Sequence, residues 1–306
     1  MRLLNRASQY VVITPAKDEA KYIESTLESL VSQTVKPLQW VIVDDGSCDR
    51  TPQLIEAYRR RYPWITVLRL ERDRVRKPGL AVISAFNAGL ELVQHLEFDF
   101  IVKLDGDLQL PPTYFESLFL KFSEDAKLGI CSGQYMERHG AEWRAIEMPQ
   151  YHAAGASKII RRECFRQING FVPSRGWDTV DEIRAQTLGW NTTHYPDIKF
   201  QHLKNEGSGI GQLRTSIMHG EIYYLTGGGV LFFLLKLAQR VICGRPIILC
   251  GFAMLWGYCK AQFLRPRLVN PAEASHYRGL LNNRVRNALS PIFRSISLVT
   301  PRRSNS

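Results

Sequence analysis

Between Tyr10 and Leu104 four short apolar runs alternate with three helix-spaced stretches, and few folds accommodate that order. Tyr10–Thr14 (YVVIT), Gln39–Val43 (QWVIV), Ile65–Leu70 and Asp99–Leu104 are rich in β-branched and aliphatic residues and read as buried strands. Tyr22–Ser32, apolar at 23, 27, 30 and 31, and Leu80–Leu96 have helical spacing. Between them a helix starts at Asp49 or Thr51, either of which suits a cap, carries Pro52 in its first turn and ends at Arg59-Arg60-Arg61. Strict alternation of this kind builds a parallel sheet wrapped by helices. Ligands of such sheets bind at the carboxyl ends of the strands. The polar clusters Ala16–Glu19, Asp44–Ser47 and Asp105–Asp107 each follow a strand directly, so all three are expected on one edge.

Asp105-Gly106-Asp107 is the most telling of them. Side chains two apart on an extended chain share a face, and Gly106 permits a sharp turn and close approach of a ligand. Two convergent carboxylates are costly unless a cation pairs them. Mg²⁺ or Mn²⁺ takes one or two carboxylates and fills its remaining positions with water and phosphate oxygens, which points to a metal–diphosphate site. The plain alternative is a solvated Asp-Gly-Asp turn. The first strand–helix turns hold neither G-x-G-x-x-G nor G-K-[ST], so a glycine cradle for phosphate is not expected.

Pro15-Ala16-Lys17-Asp18-Glu19, then Val41-Ile42-Val43-Asp44-Asp45-Gly46-Ser47-Cys48-Asp49-Arg50-Thr51, then Leu104-Asp105-Gly106-Asp107 resembles glycosyltransferase family 2 over roughly residues 10–200. The resemblance implies the α/β GT-A fold, a Rossmann-like and mostly parallel sheet flanked by helices. It implies nucleotide binding at Pro15, Ala16, Glu19 and Asp45. It makes Asp107 the main metal ligand, with Asp105 toward the ribose or the metal. Gly79-Leu80-Ala81 with Ala85-x-Asn87-x-Gly89 is similar to another family segment. There Leu80 replaces a frequent basic residue, so Lys77 is the candidate beside the diphosphate, against a solvated basic loop (Arg72, Arg74, Arg76, Lys77).

Further on, Pro112–Asp125 reads as an amphipathic helix and Leu128–Tyr135 as a strand. Gly140–Gly155 reads as irregular, with Trp143 and His152 placed to line an acceptor cleft. Ala156–Ile168 reads as a helix with Lys158, Arg161, Arg162 and Arg166 on its polar face. Asn169-Gly170-Phe171 stands where the family has G-G-F. Inverting sugar transfer needs a carboxylate to take the acceptor hydroxyl's proton. In the family that base belongs to an E-D pair opening a helix. Counting back from Gly189, Asp178 falls at its aspartate, Arg184 at its arginine, and Trp177 replaces the glutamate. Asp181, three residues on along the same helical face, is the second candidate. Asn191–His202 reads as extended, and His202 resembles a late histidine that in some GT-A enzymes completes the metal site or contacts the diphosphate. Lys204 and Gly207–Gly211 read as a loop able to close over the donor. The Q-x-x-R-W of processive members is absent, which favours transfer of a single sugar.

The charge is segregated. Residues 1–203 carry 26 Lys/Arg and 26 Asp/Glu; residues 204–306 carry 14 and 3, which holds the whole net charge of +11. That last third also contains the apolar runs 220–237 and 246–258, neither of which reaches the ~18 uninterrupted apolar residues of a spanning helix. Basic flanks with Tyr223, Tyr224, Trp256 and Tyr258 suggest helices lying in a membrane surface; a helical pair packed on the catalytic domain or a dimer interface is the alternative. Nucleic acid is not expected, since long aliphatic runs separate the basic residues. Six cysteines without C-x-x-C pairing read as reduced thiols, and the N-terminus shows no signal peptide.

These observations predict a GT-A domain over 1–215 and a basic, apolar, membrane-associating helical region over 216–306, basic from Asn282 to Ser306 and disordered at its end. The resemblance implies a metal-dependent inverting transferase acting from a nucleotide-sugar, UDP-linked; the charge and apolarity of the last third suggest a glycan or lipid-linked acceptor. The transferase's expected place is the cytoplasmic face of the cell membrane, peripheral or monotopic. The rivals are a sugar nucleotidyltransferase, which would carry a glycine-rich loop after the first strand, and a non-catalytic membrane-docking protein.

Overall fold

The computed structural model describes residues 8–71, 80–204, 211–243, 246 and 248–299, with side chains to residue 287. The chain divides into two compact units, Met1–Ser208 and Gly209–Ser306. The first unit opens with β1 (Tyr10–Ala16), α1 (Ile23–Val31), β2 (Gln39–Asp44), α2 (Thr51–Arg61), β3 (Ile65–Arg69), α3 (Leu80–Glu91) and β4 (Phe100–Leu104), the predicted alternation. It continues with β5 (Leu108–Gln109), α4 (Tyr114–Glu124), β6 (Leu128–His139), β7 (Glu142–Ala145), β8 (Ser157–Arg161), α5 (Arg162–Gln167), α6 (Trp177–Thr187) and β9 (Asn191–His202).

Among the described residues these strands form one sheet in the order β3-β2-β1-β4-β8-β6-β9-β5, with β7 paired to β6. It is parallel from β3 to β4; β8 then enters antiparallel between β4 and β6, and β6 and β9 are again parallel. Alternation of side chains along each strand splits the core in two. Tyr10, Val12, Trp40, Ile42, Phe100 and Val102 pack with α1 and α4. Val11, Ile13, Val41, Val43 and Ile101 pack with α3, Cys164 and Phe165 of α5, and Trp177 of α6. The strand expected to stop before Pro15 runs on to Ala16. Pairing with β4 has ended at Ile13, so only the β2 side is laddered there and a missing N–H is tolerated.

Ala156–Ile168 is not the single helix its spacing predicts: Ser157–Arg161 is a strand and only Arg162–Gln167 is helical. Tertiary pairing overrides local spacing, because β8 fills the slot between β4 and β6. Lys158 consequently sits wholly inside the protein rather than on a polar helix face. Part of the expected irregular stretch 140–155 is a strand too, since Gly140, in the left-handed region at φ +65°, turns β7 back onto β6. The helix read over 80–96 ends at Glu91 and finishes in turns. Asn169 also takes positive φ (+63°), which explains how it stands in a position where the family uses glycine.

The second unit holds α7 (Gln212–Leu225), α8 (Val230–Cys243), α9 (Leu249–Leu264) and α10 (Pro271–Val299). The backbone of α10 stays helical through Val299, and the chain end expected to be disordered, from residue 300 on, lies outside the described residues. Helices α7 and α9 touch backbone to backbone. A Cβ on Gly220 would lie 1.9 Å from the Met254 carbonyl oxygen, and one on Gly257 2.0 Å from that of Ile217. Tyr223, Phe233, Met254 and Leu281 form this unit's core. In contrast, Val230, Leu231, Leu234 and Leu235 of α8 and Phe252, Trp256, Phe263 and Leu264 of α9 are exposed. No helix among the described residues is long and apolar enough to cross a membrane.

Candidate active site

The loops after β1 and β2 are laced together by the polar residues of the D-D-G-S-x-D-x-T element. Ser47 Oγ accepts from the Asp18 N–H (2.9 Å), and Asp18 Oδ1 accepts from the Cys48 N–H (2.8 Å). Thr51 Oγ1 accepts from the Glu19 N–H (2.8 Å), and Asp49 Oδ2 from the Ala20 N–H (3.0 Å). Asp44 Oδ1 turns the loop by accepting from the Ser47 N–H (2.9 Å). Asp44, Ser47, Asp49 and Thr51 are therefore structural. They hold Pro15, Ala16, Glu19 and Asp45 at the carboxyl end of the sheet, where the Asp45 N–H donates to the Ala16 oxygen at 2.8 Å. Glu19 and Asp45 are both buried, and Lys204, beyond β9, reaches Glu19 Oε1 at 3.0 Å.

The Asp-Gly-Asp turn lies on the same edge. A Cβ on Gly106 would come within 2.9 Å of Ile23 Cδ1, so the turn is pressed against α1 and a larger residue would force a shift. The pairing of β5 with β9 sets Leu108 opposite His202, which carries that imidazole to Asp107. His202 Nε2 stands 3.6 Å from Asp107 Oδ1, and Nδ1 3.2 Å from Glu137 Oε1. Burial by itself would lower the imidazole; the Asp107, Asp105 and Glu137 carboxylates outweigh it and raise it to about 9.

Asp107 Oδ1 is buried and accepts no hydrogen bond, a costly condition for a carboxylate oxygen. Among the described residues no three His, Cys, Asp or Glu side chains form a ready-made metal centre. The residues present do fit a divalent ion that takes one or two protein ligands and completes its shell with diphosphate and water: Asp107 with His202, and Asp105 beside them. Lys103 Nζ pairs with Asp105 Oδ1 and donates to the Gly155 oxygen at 2.8 Å.

Gly155 links this edge to α6, since a Cβ there would lie 3.5 Å from Asp178 Oδ2. Asp178 and Asp181 have different surroundings. Lys158 Nζ donates to both Asp181 oxygens at 3.0 Å, to Glu182 Oε1 at 3.1 Å and to the main-chain oxygen of Asp178 at 2.8 Å. Burial works against the Lys158 ammonium, but Asp181, Glu182 and Asp178 together hold it above its ordinary range. Asp181 is 2% exposed, whereas Asp178 is partly open and meets Lys158 only through its backbone. Glu182 also binds His152 Nδ1 at 2.8 Å and the Ala153 N–H at 2.8 Å. Burial lowers His152; Glu182 outweighs it and the imidazole is raised.

Trp177 has a physical role in the place of the family's glutamate. Lys103 and Lys158 are cross-strand neighbours of β4 and β8, and like charges there repel. The indole packs against both, with Nζ atoms 5.3 Å and 5.2 Å from a ring centroid, a cation–π contact that is strongest where water is excluded.

The fold thus gathers Pro15, Ala16, Glu19, Asp45, Asp105, Asp107 and His202 on one edge, and links Asp178 to it through Gly155. Lys77, Gly207 and Gly209 lie outside the described residues. Sequence reasoning missed Lys103, Lys158 and Glu182. The signal for the first was a lysine inside the apolar run FIVKL.

The model of the Glycosyl transferase family 2 matches residues 11–176. The chain is similar to YibD, an uncharacterized glycosyltransferase of Escherichia coli, at 24% identity over 50% of this chain and 42% of that protein. It is similar to the cholesterol galactosyltransferase of Borreliella burgdorferi at 23% identity, over 61% and 51%. The chain therefore spans about half or less of these relatives' length. Among solved structures, the mannosyltransferase PcManGT of Pyrobaculum calidifontis, in complex with GDP-Man and Mn²⁺, matches 96% of this chain and 84% of its own, with TM-score 0.54 and 18% identity. Staphylococcus aureus TarS 1-349 in complex with UDP-GlcNAc matches 91% and 81%, also with TM-score 0.54 and 18% identity. They share the fold, in agreement with the expected GT-A architecture.

Proposed function

Because this chain belongs to glycosyltransferase family 2, we propose that it transfers a single sugar, with inversion, from a UDP-sugar to an acceptor hydroxyl. The observation that carries this reading is the buried Asp107 Oδ1, which accepts no hydrogen bond and has His202 Nε2 3.6 Å away, on the edge that also holds Ala16, Glu19 and Asp45. Asp107, His202 and Asp105 hold the divalent ion, Mg²⁺ or Mn²⁺, which when bound supplies Lewis-acid stabilisation of the diphosphate leaving group. The loop Pro15–Glu19 and Asp45 hold the nucleoside. Asp178 takes the acceptor hydroxyl's proton as the oxygen attacks the anomeric carbon; Asp181 is committed to Lys158 and positions α6 instead.

Calorimetric titration of UDP and of GDP, with Mn²⁺ or with EDTA, tests the donor site. UDP is expected to bind with Mn²⁺ and to lose most of that affinity in EDTA and in Asp107→Ala. Binding of GDP alone would keep the transferase and change the donor. No metal-dependent binding of either nucleotide to folded protein would remove the proposal.

Residues 216–306 are the membrane-associating region of this proposal, on the cytoplasmic face of the cell membrane, with a lipid-linked glycan as acceptor. Support comes from the exposed apolar faces of α8 and α9, with Phe252, Trp256 and Phe263 64%, 62% and 85% exposed, and from the positive charge of that third. Replacing Phe252 and Trp256 together by Glu should weaken co-sedimentation with phosphatidylglycerol vesicles by about tenfold or more, because each buried aromatic contributes roughly 1.5–3 kcal/mol. Unchanged sedimentation, or a dimer that dissociates in the variant, would reassign the face to protein contact.

A further inference from the structure

The segment 150–155 has no regular secondary structure, yet four elements hold it in place. Gln150 Nε2 donates to Thr193 Oγ1 and to the His194 oxygen, both at 2.8 Å, and His194 Nδ1 contacts the His152 oxygen at 2.9 Å. The Ala154 N–H donates to Ser132 Oγ at 2.8 Å, and Lys103 holds the Gly155 oxygen. Strands β4, β6 and β9 and helix α6 thus fix a loop in which His152 is half-buried and stands beside α6. That ring is fixed as well. Its Nδ1 lies on Glu182 Oε2, and the other Glu182 oxygen is occupied by the Ala153 N–H and Lys158. Glu182 is 2% exposed, whereas the His152 side chain is 24% exposed. With Nδ1 turned inward, the edge that meets solvent carries Nε2.

Asp178 and Glu182 are four apart on α6 and share a face. Gly155 lies against the first and His152 against the second, so loop and helix make two rungs about 6 Å apart, roughly the width of one sugar residue. At the first rung, glycine leaves the space in front of the Asp178 carboxylate without a side chain.

We propose that His152, oriented by Glu182, binds a second hydroxyl of the acceptor beside the one that Asp178 deprotonates, so that the acceptor is a sugar with a neighbouring free hydroxyl. This rests on the glycosyl-transfer reading. His152 is a binding residue for the acceptor and Glu182 a positioning residue that fixes its ring. A lone alcohol, such as a sterol hydroxyl, would leave the second rung unused.

The test pairs His152→Asn with deoxy acceptors. Asparagine keeps a donor where Nδ1 stood, so Glu182 remains satisfied, and it removes Nε2. Transfer from the UDP-sugar is measured to n-octyl glycosides and to their monodeoxy analogues, and UDP affinity by calorimetry. For the wild type, one monodeoxy analogue is expected to raise the acceptor KM about tenfold, the scale of one lost hydrogen bond to a charged group. In His152→Asn the parent acceptor should show that same rise and the analogue no further one, with UDP affinity unchanged. Equal losses for parent and analogue in the variant, or no loss, would overturn the acceptor role while leaving the donor site standing. Loss of UDP affinity in His152→Asn would assign the residue to folding and overturn it too. Failure of the family reading is separate: the wild type itself would bind no nucleotide with Mn²⁺.

Discussion

Asp178→Asn should lower transfer about a thousandfold, within the 10²–10⁴ that a positioned general base contributes, with UDP affinity retained. The amide has the carboxylate's shape and cannot accept the proton. Its main-chain oxygen, on which Lys158 rests, is untouched, so the fold should survive. Asp181→Asn is the control. It removes one of the two carboxylates that compensate Lys158, so it should lower the denaturation midpoint and change turnover of the folded protein far less. Turnover is measured with the sugar nucleotide selected by calorimetry, using water or an octyl glycoside as acceptor. A larger loss of turnover in Asp181→Asn than in Asp178→Asn would reverse the assignment of the base.

Lys158→Met should destabilise the first unit by about 3–5 kcal/mol, the usual penalty for leaving buried charge unpaired. Methionine fills much of the lysine's volume, so the effect reports charge rather than a cavity. Without the ammonium, Asp181 and Glu182, 2% exposed each, face each other with only His152 opposite. The pH dependence has a definite sign. Burial already raises Asp181 above the ordinary carboxylate range with Lys158 in place, and removing the cation raises it further. A group raised in the folded state favours folding at low pH and loses that contribution as pH rises through its folded value. The deficit of the variant should therefore widen as pH rises above neutral and level off at its smaller value on acidification. Urea unfolding followed by circular dichroism at several pH values measures both. A deficit under about 1 kcal/mol, or one that grows on acidification, would mean that Lys158 is not the counter-charge of this cluster.

Much of the donor side was legible because its information is local. A strand of β-branched residues ending in carboxylates, repeated after helices of regular spacing, leaves few ways to arrange a sheet, and each carboxyl end then falls on one edge. The D-D-G-S-x-D-x-T element was legible as a unit, yet its division of labour was not. Ser47, Asp49 and Thr51 lace two loops, a task defined only by partners some thirty residues away in the chain. The stretch Ala156–Ile168 was misread for a related reason. Its spacing favours a helix locally, but the slot between β4 and β6 belongs to the sheet, and the paired neighbours on both sides of that slot outweigh a propensity of a few tenths of a kcal/mol per residue.

By itself the sequence determined the alternating sheet, the edge that carries Pro15, Asp45 and Asp107, and the segregation of charge into the last third, because periodicity and composition are properties of neighbouring residues. Only the tertiary structure decided that Lys158 is internal, that Asp181 is bound to it while Asp178 remains partly open, and that Glu182 fixes His152. Those facts depend on which strand enters the sheet beside β4 and on how α6 packs against it. Such long-range contacts select one of two similar carboxylates by its surroundings, and no spacing in the chain encodes them.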